Sequence, residues 1–104
     1  MLSDADIRQH LLPILRSDRQ ITWEDPDRDD RLVRFAADGM AHINSILPAP
    51  ADYQTAGNAR RLLLAYVMYA EAQSVDDFRV NYAPDLLQLK MDAERDAYVA
   101  ENES

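Results

Sequence analysis

Asp25, Asp27 and Asp29 alternate as the first ligands of a helix–loop–helix calcium site do, each offering a carboxylate oxygen to a hard cation. The pattern breaks at the next two requirements. Asp30 stands where the sharp turn needs glycine, and Ala36 stands where the bidentate acid belongs. The same acids have a simpler reading as a helix start. Asp25 is a capping carboxylate, Pro26 fits the first helical position, and the acids beyond it sit near the positive end of the helix dipole. His10 and His42 are the side chains that could move protons near neutral pH. They fall on different predicted helices and read as surface or core-edge residues. No serine lies in a nucleophile elbow, and no phosphate loop or dinucleotide fingerprint is present. Tyr66, Tyr69 and Tyr82 could form a stacking platform. At helical spacing in an apolar run they read instead as core, with hydroxyls at the rim. These residues predict no catalytic, metal or cofactor site, so the chain reads as an interaction or structural protein.

The totals narrow the classes further. A chain of 104 residues predicts one domain (residues 1–104), and 47% hydrophobic residues favour a globular core over disorder. Two glycines are too few for the tight turns of an all-β fold. A net charge of −8 repels phosphate backbones and anionic membrane surfaces, which argues against tight nucleic-acid binding and against membrane docking. The absence of cysteine removes disulfides, thiolate nucleophiles and cysteine zinc sites, and suits a reducing interior. The longest apolar run, residues 62–70, is far short of the roughly 20 residues that span a bilayer. The acidic start does not resemble a signal peptide. The expected compartment is the cytoplasm, or an assembly built there.

The elements follow from periodicity. Ser3 or Asp4 caps a first helix whose apolar face is Ile7, Leu11, Ile14 and Leu15, and Pro13 should kink or shorten it. Ile21, Thr22 and Trp23 read as an extended linker that pins Trp23 against the core. A second helix should run from Pro26 to about Leu47, with Leu32, Ala36, Met40, Ile43 and Leu47 on one face and Gly39 permitting a close crossing. Pro48 and Pro50 end it. Asp52 or Thr55 is available to cap a third helix from about Ala56 to Gln73. Its block from Leu62 to Ala70 is apolar all round, and therefore buried in a bundle or shared with a neighbour. Ser74 looks like the next cap. Val75, Phe78, Tyr82, Leu86 and Leu89 keep one stripe in phase across Pro84, which predicts two helical pieces with a bend at Ala83–Pro84. Residues 92–104 are charged and read as a frayed helix or a mobile arm. The expected fold is all-α: a small bundle of about four helices with a kinked last helix and a charged C-terminal arm.

Two stretches resemble the head–tail connector, or head-completion adaptor, proteins of long-tailed bacteriophages. The first is Ile21-Thr22-Trp23-Glu24-Asp25-Pro26-Asp27 with the helix to Leu47, then the pair Asp52-Tyr53. The second is Ala59-Arg60-Arg61-Leu62-Leu63-Leu64-Ala65-Tyr66 through Ala70, then Val75-Asp76-Asp77-Phe78, Asn81-Tyr82 and Leu86-Leu87-Gln88-Leu89. The resemblance covers roughly residues 20–90 and lies in the ordered combination; Met68 and the acidic tail fall outside it. It implies a virion protein, of phage or prophage, at the head–tail junction, assembled in the bacterial cytoplasm. Its subunits would form a homo-oligomeric ring, twelve-fold by analogy, under the portal protein, and carry the next connector, stopper or tail protein. DNA would pass through the channel without tight binding, for which a negative wall is suited. A closed ring needs heterologous interfaces. Arg60, Arg61, Asp77 and Arg79 are the candidate subunit-interface residues, against the plainer reading that Arg60 and Arg61 sit on a solvated helix end.

Two other classes compete: a cellular helical adaptor or regulator, and a small acid-rich hydrolase, which no local signature supports.

Overall fold

A computed structural model describes residues 3–20, 23 and 25–103. Among these residues there are five helices and no strand, and 77% of them are helical. The fold is therefore all-α, as the periodicities predict.

The first helix, α1, passes through three geometries: α over Asp4–Asp6, π over Ile7–Leu11 and α over Leu12–Asp18. Ser3 is its cap. The Ser3 hydroxyl accepts from the Asp6 backbone N–H while the Asp6 carboxylate accepts from the Ser3 N–H, both at 3.2 Å. Pro13 does not end this helix, which runs on to Asp18. It has no N–H to offer, and its ring would crowd the carbonyl four residues back. The turn before it widens instead, with Leu12 N–H bonded to the Ile7 carbonyl, and the helix continues. Ile7, Leu11 and Leu15 stay in phase and buried.

The linker after α1 departs from expectation at Trp23; Ile21 and Thr22 lie outside the described residues. Trp23 is 54% exposed and is not pinned against the core. Its backbone carbonyl, not its indole, is held, by the Arg16 guanidinium.

Helix α2, Pro26–Asn44, is capped by Asp25, whose carboxylate accepts from Arg28 N–H at 3.1 Å. It stops three residues before Leu47, because Pro48 excludes Leu47 from helical geometry. Ile46 and Leu47 N–H groups close back on the Ile43 and Asn44 carbonyls as a tighter turn. Gly39 is buried against α3, Asn58–Glu71. A Cβ there would lie 2.7 Å from Tyr66 Cδ1 and 2.8 Å from Leu63 Cδ1, so the close crossing exists because Gly39 has no side chain.

The loop between α2 and α3 contributes a core residue. Tyr53 is buried, and its hydroxyl donates to Asn44 Oδ1 at 2.7 Å; the same oxygen accepts from Ala51 N–H. Burial raises the Tyr53 pKa, so the hydroxyl stays a donor. Asp52 does not cap α3. It accepts from the Gln54 and Thr55 N–H groups and shapes the loop, and the Thr55 side chain first, then these N–H groups, lower its pKa. The helix begins at Asn58 behind Gly57. Nor is α3 buried all round: Leu62, Leu63, Tyr66, Val67 and Ala70 are interior, whereas Arg61 and Met68 are exposed.

Helix α3 ends in a Schellman turn. Gln73 has a φ of 57°, its N–H bonds to the Ala70 carbonyl at 3.0 Å, and Ser74 N–H reaches the Tyr69 carbonyl at 2.9 Å. The Ser74 hydroxyl also turns back to the Tyr69 carbonyl at 3.3 Å, so it serves the helix before it and does not cap the one after. Helices α4, Val75–Asn81, and α5, Ala83–Glu103, are the two pieces of the bent stripe, broken at Tyr82. Phe78 is fully buried and meets Tyr66, Tyr69 and Tyr82 at ring distances of 5.3, 6.0 and 5.1 Å. The tyrosines pack with one another and offer no free platform. Residues beyond Met91 remain helical to Glu103.

Candidate interaction site

The four interface candidates read from the sequence fall into two settings. Arg60, in the first turn of α3, donates to the Gln54 carbonyl at 3.1 Å and so braces the preceding loop. Arg61, half exposed, lies 3.8 Å from Asp85 near the start of α5. Arg79 and Asp77 are on α4. Arg79 reaches Asp76 at 4.0 Å, and both side chains are well exposed, so this pair adds little stability. Arg79 and burial together lower the pKa of His42, burial being the larger cause. Asp77 lies in the first turn of α4, where a negative charge meets the positive end of the short helix.

The cluster that the fold builds lies elsewhere. At the C-terminal end of α3 the Glu71 carboxylate, 14% exposed, accepts from Arg19 Nε at 2.8 Å and from Arg28 Nε at 3.1 Å. Three helix ends meet on this one side chain: the end of α1, the start of α2 and the end of α3. Close by, Asp29 on α2 faces Arg16 on α1 at 3.5 Å. No local signal marks the cluster, since Glu71 stands 43 and 52 positions from its partners.

Around this carboxylate lies a solvent-open recess of about 530 Å³, lined by Arg19, Arg28, Arg31, Asp25, Glu71 and Phe35 among others. The guanidinium groups of Arg19 and Arg28 each use Nε on Glu71, and a guanidinium has five N–H donors in all. Arg31 is exposed and forms no ion pair among the described residues. The Asp25 carboxylate is already engaged as the cap of α2. Three cations against two occupied carboxylates make this recess locally positive on a chain of net charge −8. Its chemistry is oxyanion recognition by guanidinium forks.

The alternating acids near it point in different directions once helical. Asp25 caps, Asp29 pairs with Arg16, and Asp30 pairs with Arg8 at 2.7 Å. Exposed apolar side chains are concentrated on α5 and the arm: Leu87, Met91, Tyr98 and Val99, with Met68 and Val80 on α3 and α4. Comparison with protein-family models, with curated proteins and with solved structures finds no match for this chain.

Proposed function

We propose that this chain is a structural subunit of the phage head–tail connector type, which joins others of its kind in a ring under a portal protein and carries the next tail component. The ordered residue pattern from Ile21 to Leu89 motivates the reading. The observation that supports it most directly is the shape of the subunit. A compact body carries one long helix, the molecule measures 49 × 29 × 18 Å, and the protruding helix exposes Leu87, Met91, Tyr98 and Val99. Apolar side chains in that position suit contacts with another chain. The acidic surface suits a channel through which DNA slides.

The decisive experiment begins with the genes flanking this one. If a portal gene is among them, its product is purified, mixed with this protein and viewed by electron microscopy. Added ring density on the portal vertex is the expected result. A neighbourhood without portal and capsid genes, or a portal that never binds the chain, would sink the proposal. It would leave the cellular helical adaptor as the better reading.

A further inference from the structure

We infer that the arginine recess at the end of α3 is a docking site for the acidic C-terminal arm of a second copy of this chain, in a head-to-tail contact. Three observations carry this. The first is the excess of guanidinium donors. Arg19 and Arg28 are held in place by Glu71 and project from it into the recess wall, while Arg31 at its rim has no ion-pair partner among the described residues. An arginine already oriented by one carboxylate loses less freedom when it binds another.

The second is the arm itself. Among the described residues none after Leu86 is buried, and Lys90, Asp92 and Arg95 form ion pairs within four positions along the same helix. Asp92, Glu94, Asp96, Glu101 and Glu103 carry its acidic charge, against Arg95, and Tyr98 and Val99 add exposed apolar surface at 68% and 43%. The exposed Trp23, two residues before the recess-lining Asp25, supplies an aromatic surface on the other side. Interface centres favour tryptophan, tyrosine and arginine.

The third is placement. Tyr82 packs on Tyr69, and Asp85 reaches Arg61 in the first turn of α3, so the root of α5 is tied to the N-terminal end of α3. The recess surrounds Glu71 at the opposite end of α3, about 15 Å along the helix from Arg61 at 1.5 Å per residue. The root of the arm and the recess therefore lie at different ends of α3, and a heterologous contact requires two such different surfaces.

Analytical ultracentrifugation of the full chain tests this. The wild-type protein should associate as its concentration rises in about 0.05 M salt and dissociate in about 1 M, where the Debye length falls to roughly 3 Å. Arg31→Ala spoils the recess, and Glu94→Gln with Asp96→Asn spoils the arm, neutral changes that cannot pair with each other. Each variant alone should associate at least tenfold more weakly, with its far-UV circular dichroism unchanged. Mixed together, the two variants retain one intact interface and should form a 1:1 dimer that grows no further. A wild-type chain that stays monomeric would overturn the inference. So would an association that both variants leave intact, or a mixture that stays monomeric. The contact stands apart from the connector reading. A chain that self-associates in this way without binding a portal keeps the interface and loses that reading; one that binds a portal but never itself does the reverse.

Discussion

His42 shows how one side chain reports its neighbourhood. Its ring lies 6.0 Å from Tyr66 and 6.3 Å from Phe78, and burial with the nearby Arg79 cation lowers its pKa in the folded state. The unfolded chain then binds more protons than the folded one between that lowered value and about 6.5, so stability rises with pH across the window. We expect the chemical-denaturation midpoint to fall as pH drops from about 7 to about 5, and His42→Gln to flatten that slope. An unchanged slope would show that the ring is no better tolerated neutral than charged. The sequence read His42 as a surface or core-edge residue, and it is half-buried beside these rings. That reading said nothing of Arg79, which lies on another helix 37 positions away. Tyr53 was less legible: a lone aromatic between loop residues carries no periodicity. Its burial depends on Asn44, nine positions back, turning an amide oxygen toward it.

At the scale of elements, caps and breaks obeyed local rules where the needed groups were neighbours in sequence. Asp25-Pro26 starts α2 and Ser3 starts α1 for that reason. Choices between two adjacent helices were not legible, which is why Ser74 serves α3 and Asp52 serves the loop. The Schellman turn holds Gln73 in the left-handed region that glycine enters freely. Relieving about 1–2 kcal/mol of left-handed strain outweighs glycine's added chain entropy of roughly 0.5–1 kcal/mol. Gln73→Gly should therefore stabilise the protein by about 0.5 kcal/mol or more, read as a higher melting temperature. Gly39 runs the other way. Alanine would gain about 1 kcal/mol of helix propensity, but its methyl would press on the rigid Tyr66 ring at 2.7 Å. Overpacking costs about 1–3 kcal/mol, so Gly39→Ala should destabilise the fold despite being the better helix former. A rise in stability would show that α2 and α3 can separate at little cost.

For the whole molecule, body and arm should behave as different things. The buried core ends at Leu86, with Leu89 packed against its edge. A chain stopped after Met91 should keep its denaturation free energy within about 1 kcal/mol, since surface groups outside the core contribute little. It should also lose all self-association. Separate loss of stability would mean that the arm folds back on the body in solution.

What the sequence determined by itself was local and periodic: helices where apolar residues recur every three or four positions, breaks at the prolines at 48 and 50, and a stripe held in phase across Pro84. Those properties depend on backbone geometry and on nearest neighbours in the chain. The tertiary structure alone decided which charges meet. Glu71, Arg19 and Arg28 converge because three helix ends pack together, and nothing in a linear pattern records a contact made across 43 or 52 residues. It also decided which side of α3 stays open and that Trp23 remains outside, because burial is allotted by competition for one small interior that leucine, valine, isoleucine and phenylalanine had already filled.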